Sequence, residues 1–99
     1  MNLAIIGATG LVGEEILKVL KERNIFITNL ILVASEKSQG KTISFLNTDY
    51  KIISIENALE KNLDVAIFSA GKDISLKWAE KFANRGVTVI DNSSAVSYT

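Results

Sequence analysis

Three glycines near the start of the chain have the spacing of a phosphate-binding turn. Gly7, Gly10 and Gly13 recur every third residue, directly after the apolar run at residues 2–6. Between a strand and a helix, such glycines turn the chain sharply, let backbone N–H groups approach a pyrophosphate and let the helix lie close to the strand. Exposed N–H groups at a helix N-terminus also bind anions. The turn therefore predicts a dinucleotide site.

The residues around the glycines supply the context that this motif needs. Over residues 10–23 apolar side chains recur at helical spacing, opposite a charged face. The predicted apolar face consists of Leu11, Val12, Ile16, Val19 and Leu20, and the solvent face of Glu14, Glu15, Lys18, Lys21 and Glu22. The spacing G-x-x-G-x-x-G differs from the commoner G-x-G-x-x-G, so a tight turn without a ligand is the alternative interpretation.

The rest of the chain alternates strand-like and helix-like segments. The predicted order is a strand at 2–6, a helix at 10–23, a strand at 29–34, a hairpin or edge excursion at 39–53, a short helix at 54–62, a strand at 64–69, a helix at 74–85 and a strand at 87–90. This alternation predicts an α/β fold with a Rossmann-like, doubly wound and mostly parallel sheet. We expect one domain over residues 1–99, with ligands at the carboxyl ends of the strands.

Local signals define the two later helices more closely. Ser54 is a suitable N-cap for the short helix, which would turn Ala58 and Leu59 inward. Gly86 is placed to end the helix at 74–85. The apolar face predicted for that helix consists of Leu76, Ala79, Phe82 and Ala83.

The turn after the second predicted strand carries information on the cofactor. Sites that prefer NAD usually place Asp or Glu at this strand end, whereas this chain has Ser35, followed by Glu36, Lys37 and Ser38. Hydroxyl groups and a lysine can donate hydrogen bonds to a 2′-phosphate, which a carboxylate would repel. The sequence therefore favours NADP. In the alternative, Glu36 points inward and binds the ribose, and the serines form an ordinary turn.

Two other residue groups could take part in chemistry but have simpler interpretations. Trp78 and Phe82, four residues apart on a helix, are expected to pack in the core or on a partner rather than stack on a base. Asp91, at a strand end, is expected to accept hydrogen bonds rather than act as an acid or base. We predict no catalytic residue in this chain.

Composition excludes several classes of function. The 99 residues are 47% apolar and 22% charged with zero net charge, which fits a globular domain and gives no electrostatic case for nucleic acid or a membrane surface. Cysteine and histidine are absent, so the chain offers no disulfide, thiol or imidazole chemistry and no zinc site; we predict no metal. No apolar run approaches the roughly 18 residues of a membrane span, and no signal-peptide pattern is present, so we expect a cytoplasmic protein.

Four segments in order resemble the N-terminal part of the aspartate-β-semialdehyde dehydrogenase family. They are GATGLVG at 7–13, ASEKSQGK at 34–41, FSAG at 68–71 and VIDNSSA at 89–95. The resemblance implies NADPH-dependent reductive dephosphorylation of β-aspartyl phosphate to aspartate semialdehyde, on the route to lysine, threonine and methionine. It also implies that Thr9, Gly10, Leu11 and Val12 line the pyrophosphate, that Ser35 and Ser38 hold the 2′-phosphate, and that Ser69 and Gly71 border the nicotinamide.

The motif and the resemblance together predict one set of cofactor-binding residues. This set is Gly7, Thr9, Gly10, Leu11, Val12, Gly13, Ser35, Lys37, Ser38, Ser69 and Gly71. Lys37 stands where family members often carry arginine, and it keeps the charge without the bidentate fork. After the NSSA segment the family commonly continues with Phe-Arg, whereas this chain reads Val96-Ser97-Tyr98-Thr99.

The resemblance places the nucleophilic cysteine and the acid/base histidine of the family in a separate catalytic and dimerisation domain. We therefore expect this chain to bind NADPH without catalysing the reaction alone, since thioacyl chemistry needs a thiolate. The acyl-phosphate substrate and a homodimer or larger assembly would belong to the full-length enzyme. The alternatives are part of an N-acetyl-γ-glutamyl-phosphate reductase, and a dinucleotide-sensing module that docks partners on the helix at 74–85.

Overall fold

Apolar strands alternate with amphipathic helices along the chain. The computed structural model describes residues 1–92. The elements in chain order are β1 (Asn2–Ile6), α1 (Leu11–Glu22), β2 (Asn29–Val33), a 3₁₀ turn (Glu36–Ser38), β3 (Thr42–Phe45), β4 (Thr48–Ile53), α2 (Ile55–Leu59), β5 (Val65–Phe68), α3 (Lys72–Ala83) and β6 (Thr88–Asp91). The hairpin or edge excursion predicted at residues 39–53 is a hairpin, because β3 and β4 pair antiparallel.

The six strands form one sheet in the order β3-β4-β2-β1-β5-β6. All neighbouring pairs except β3 and β4 are parallel. The chain starts at the centre in β1, proceeds to one side through β2 and β4, and then crosses to the other side for β5 and β6. This reversal next to β1 is the switch point of a doubly wound sheet, so the predicted fold class is confirmed.

The alternation of side chains along β1 divides the core between two faces of the sheet. Leu3 and Ile5 belong to the cluster that contains Leu17 and Leu20 of α1. Ala4 and Ile6 point to the opposite face, where Ala58 of α2 and Trp78 and Phe82 of α3 pack. The rings of Phe68 and Phe82 meet edge to face with centroids 5.5 Å apart. Helices therefore cover both faces of the sheet. A crevice lies at the carboxyl ends of the central strands, where the chain turns from strand to helix.

The apolar face predicted for α1 is partly wrong. Leu11, Val12 and Val19 are 83%, 47% and 42% exposed, whereas Gly13 and Leu17 are buried together with Leu20. The buried positions 13, 17 and 20 follow the helical repeat more closely than the predicted set. Leu11 and Val12 belong to the first turn of the helix, beside the turn that follows β1. The rotation of α1 about its axis was therefore not fixed by apolar content alone.

The face predicted for α3 needs a similar correction. Leu76 is 72% exposed and Ala83 is exposed, whereas Ser75 and Trp78 are buried. The helix begins at Lys72, two residues before the predicted start. Positions 75, 78 and 82 are the ones that meet the sheet, because they recur at spacings of three and four.

The prediction for α2 is confirmed at its cap. The Ser54 Oγ accepts a hydrogen bond from the Asn57 backbone N–H at 3.1 Å, and Ala58 is fully buried with Leu59 half-buried beside it.

Within residues 1–92, none of the helices has the length and apolar character that crossing a membrane would take.

Candidate dinucleotide site

The turn after β1 is fixed by hydrogen bonds to the neighbouring strand. The backbone N–H groups of Gly7 and Ala8 both donate to the Val33 carbonyl, at 2.8 and 3.0 Å. Gly7 has φ +97°, and a Cβ there would lie 2.8 Å from the backbone atoms Ser69 C and Ala70 N. Glycine is required at this position by both conformation and space.

The other two glycines of the motif have different surroundings. A Cβ on Gly13 would lie 2.3 Å from the Gly7 carbonyl oxygen, so its absence lets α1 pack directly on the turn. A Cβ on Gly10 would lie 3.5 Å from the same oxygen, which is an ordinary contact. The fold therefore requires glycine at positions 7 and 13, whereas the space beside Gly10 belongs to the cleft described below.

The first amides of α1 are available to a ligand. The Gly10 N–H donates to the Gly7 carbonyl at 3.1 Å, and the Glu14 N–H donates to the Gly10 carbonyl at 3.0 Å. Between these two, the N–H groups of Leu11, Val12 and Gly13 find no acceptor among residues 1–92, and Gly10 supplies no side-chain cap. Free N–H groups and the positive end of the helix dipole together favour an anion at this point.

A cleft of about 470 Å³ opens in front of this turn, at the carboxyl ends of the central strands. This volume is within the range of ordinary ligand sites. Five segments contribute to it: the glycine turn, the chain after β2, the start of α2, the end of β5 and one face of α3. The lining residues are Ile6, Gly7, Thr9, Gly10, Val33, Ala34, Ser35, Glu36, Gln39, Ile55, Glu56, Ser69, Ala70, Ile74, Lys77 and Trp78.

The structure brings some of the predicted site residues together in this cleft. Gly7, Thr9, Gly10, Ser35 and Ser69 line it, so residues that follow β1, β2 and β5 meet at one crevice. The other predicted residues do not line the cleft: they are Leu11, Val12, Gly13, Lys37, Ser38 and Gly71. The first three of these lie in the first turn of α1, where they offer backbone N–H groups rather than side chains.

The 3₁₀ turn decides which side chains after β2 reach the cleft. Ser38 N–H donates to the Ser35 carbonyl at 2.9 Å, and Gln39 N–H donates to the Glu36 carbonyl at 3.3 Å. Glu36, Lys37 and Gln39 are all exposed, but Glu36 and Gln39 line the cleft and Lys37 does not.

Ser69 and Gly71 shape the end of β5. The Ser69 Oγ donates to the Ile6 carbonyl at 2.9 Å and lies 3.5 Å from the Gly7 carbonyl, so it ties β5 to the glycine turn. Gly71 has φ +109° with open space around it, and it serves as the N-cap of α3. Its conformation rather than crowding makes glycine suitable there.

The wall of the cleft that α2 and α3 form was not predicted from the sequence. This wall contains Ile55, Glu56, Ile74, Lys77 and Trp78. Trp78 is only 8% exposed and belongs to the core, as predicted, but it also lines the cleft. The spacing of Ile74 and Trp78, four residues apart on one helix, was the available signal.

Asp91, the last residue of β6, accepts a side-chain hydrogen bond. The Ser75 Oγ donates to Asp91 Oδ1 at 3.0 Å, which agrees with the interpretation of this carboxylate as a hydrogen-bond acceptor. The predictions that concern residues 93–95 of the VIDNSSA segment and residues 96–99 lie outside the described residues. No group of acidic, histidine or cysteine side chains suited to a metal ion occurs within residues 1–92.

Sequence comparisons agree with this geometry. Residues 2–99 match the family model described as "Semialdehyde dehydrogenase, NAD binding domain". An aspartate-semialdehyde dehydrogenase of Aquifex aeolicus is 53% identical over 96 residues, which are 95% of this chain and 28% of the relative. Aspartate-semialdehyde dehydrogenase 2 of Vibrio cholerae is 45% identical over 97 residues, or 98% of this chain and 29% of the relative.

The structural comparison gives the same result. The crystal structure of aspartate semialdehyde dehydrogenase II from Vibrio cholerae superposes with a TM-score of 0.86 at 45% identity, over 98% of this chain and 29% of that one. The chain thus spans less than a third of the length of these relatives. Because the family model matches almost every residue, this chain belongs to the semialdehyde dehydrogenase family, as its NAD-binding domain.

Proposed function

We propose that this chain is the NADP-binding domain of an aspartate-β-semialdehyde dehydrogenase. In the longer protein, the activity would be the NADPH-dependent reductive dephosphorylation of β-aspartyl phosphate to aspartate semialdehyde. The names of the relatives support this activity, and one observation supports the role of the chain itself. The unbonded amides at the start of α1 directly follow Gly10, which lines a cleft of about 470 Å³.

A bound dinucleotide would place its pyrophosphate, adenosine and nicotinamide at three different parts of the cleft. The pyrophosphate would lie on the N–H groups of Leu11, Val12 and Gly13, beside Thr9 and the open side of Gly10. The adenosine half would extend towards the chain after β2, between α2 and α3. The nicotinamide half would lie near the end of β5, at Ser69 and Gly71.

Chemistry beyond cofactor binding would need groups that this chain does not contain. The bound nicotinamide supplies the hydride, whereas a nucleophilic thiol and a proton shuttle would come from another part of the longer protein, because these 99 residues include no Cys or His. We propose residues 1–99 as a single cofactor domain, a homodimer or larger assembly for the longer protein, and a cytoplasmic location.

The choice of NADP rests on the hydroxyl and cationic groups after β2. Ser35 lines the cleft, Ser38 is half-buried in the adjoining 3₁₀ turn, and Lys37 is exposed beside it. A flexible lysine at this rim can approach a 2′-phosphate from solvent as a point charge. The hydroxyl groups can donate hydrogen bonds to the same phosphate.

Titration of the chain with NADPH and NADH tests the proposal. Trp78 is the only tryptophan and lines the cleft, so its fluorescence reports on binding directly. A nucleotide at about 100 times its dissociation constant should raise the free energy of unfolding by roughly 2.7 kcal/mol. We expect both nucleotides to bind, NADPH more tightly. If neither changes the fluorescence or the melting temperature, the chain is a scaffold or interaction module and the proposal is wrong.

A further inference from the structure

Lys77 is the one positively charged residue among the described residues that line the cleft. Two carboxylates, those of Glu36 and Glu56, line the same cleft. Without Lys77, the charged groups of the lining would all be negative and would repel an anionic ligand. The ammonium group of Lys77 is therefore the side-chain charge in the lining that suits a phosphate.

The surroundings of Lys77 leave its ammonium group available. Within residues 1–92 it forms no hydrogen bond or ion pair, and its Nζ lies 5.9 Å from the centroid of the Trp78 ring. This distance is at the outer limit of a cation–π contact. Lys81 lies closer to the same ring, with its Nζ 4.5 Å from the centroid. Because Lys77 is exposed and flexible, its side chain can turn from the ring towards an anion in the cleft.

The order of the strands places Lys77 across the cleft from the chain after β2. The strands β2 and β5 both neighbour β1, so their carboxyl ends lie roughly 10 Å apart. Ser35 follows β2, whereas α3, which carries Lys77, follows β5. A phosphate between these two segments would be contacted from both sides. In the proposed binding mode the adenosine half lies here and the pyrophosphate lies on the amides of α1, so the phosphate between them is the 2′-phosphate.

We propose that Lys77 is a specificity-determining residue that binds the 2′-phosphate of NADPH from the α3 side of the cleft. The inference rests on the proposed function, since it assigns a role within the same cofactor site. Lys77 adds a cation that lines the cleft to the hydroxyl groups after β2, whereas Lys37 lies outside the lining. NADH has no phosphate at this position, so Lys77 favours NADPH.

The test uses two ligands that differ only in the 2′-phosphate. Dissociation constants for 2′,5′-ADP and 5′-AMP are measured by calorimetry on the wild-type chain, on Lys77→Gln and on Lys77→Arg. A unit charge about 4 Å from a phosphate of about −1.5 to −2 charge corresponds, in a water-like medium, to about a tenfold change in affinity. We expect Lys77→Gln to weaken 2′,5′-ADP by about this factor and to leave 5′-AMP unchanged. Lys77→Arg keeps the charge and should retain the wild-type ratio.

Lys81→Gln is the matched control. Lys81 is also an exposed lysine of α3 that contacts the Trp78 ring, but it does not line the cleft. Its replacement removes the same charge and should leave the ratio of the two affinities unchanged. Lys37→Gln tests the lysine after β2 in the same way, and we expect a smaller shift than for Lys77→Gln.

The outcomes separate the inference from the proposed function. If Lys77→Gln keeps the wild-type ratio, or if Lys81→Gln shifts the ratio equally, Lys77 does not bind the 2′-phosphate, while the cofactor site stands. The same conclusion follows if Lys37→Gln alone removes the preference for 2′,5′-ADP. If the wild-type chain binds neither ligand, nor NADPH or NADH, the proposed function and the inference both fall.

Discussion

At the scale of single residues, one amino-acid type serves two purposes in the turn after β1. Gly7 and Gly13 are glycines because neighbouring backbone atoms leave no room for a Cβ. Gly10 lies in a less crowded position and borders the cleft. A sequence motif treats the three as equivalent, whereas their contacts divide them between folding and binding.

Alanine substitutions should reveal this division. We expect Gly13→Ala to lower the free energy of unfolding by about 1–3 kcal/mol, because its Cβ would force α1 away from the Gly7 carbonyl. Gly10→Ala is the matched comparison, and its contact of 3.5 Å should cost less than about 1 kcal/mol. Its methyl group should nevertheless weaken NADPH binding by narrowing the cleft.

Urea denaturation and fluorescence titration of the two variants provide the measurements. Equal stability for Gly13→Ala and the wild type would show that α1 can move at no cost, contrary to this account. Unchanged NADPH affinity in Gly10→Ala would show that the ligand does not approach this side of the turn.

At the scale of elements, the hairpin of β3 and β4 contains a strained turn. Leu46 and Asn47 have φ of +50° and +64°, and Leu46 is 57% exposed. Two-residue hairpin turns with both central φ values positive favour Asn-Gly, because other side chains are strained in this region. The strand pairing on both sides of the turn holds Leu46 in that conformation.

Relief of this strain should stabilise the chain. We expect the double substitution Leu46→Asn with Asn47→Gly to raise the free energy of unfolding by about 1 kcal/mol, as judged by thermal and urea denaturation. Leu76→Asn is the control, since Leu76 is also an exposed leucine but lies in α3. The control should gain nothing. A similar gain in both proteins would assign the effect to the removal of exposed apolar surface.

At the scale of the whole molecule, the two faces of the sheet are unequally covered. On β6, Ile90 is 45% exposed beside its register partner Ile67, which is half-buried. These two side chains share the face of the sheet on which α1 packs, since Ile67 contacts the α1 cluster. Apolar surface next to a sheet edge favours association between copies.

We expect the chain to self-associate as its concentration rises, and Ile90→Thr to reduce this association while preserving strand propensity. Sedimentation velocity over a range of concentrations measures both effects. Leu76→Gln removes an exposed leucine from α3 and should leave the association unchanged. A monomer at all concentrations, or an equal effect of both substitutions, would contradict this expectation.

Local pattern predicted the order of elements well, because apolar runs, a serine cap and glycine turns act over a few residues. The hairpin, Ser54 and the turn at Gly7 are examples. Predicted helix faces were less accurate, as Leu11 and Leu76 show, because a helix can rotate about its axis without changing its apolar content. That rotation is fixed only by contact with a particular sheet.

The sequence by itself determined the α/β class, the glycine turn that frees the amides of α1, and the absence of thiol and imidazole chemistry. Only the tertiary structure decided which residues line the cleft. It placed Glu36, Glu56 and Lys77 in the lining, and it left Lys37 outside. The physical reason is that the cleft is assembled from five segments that are distant in the chain, so its composition depends on sheet order and helix rotation rather than on local spacing.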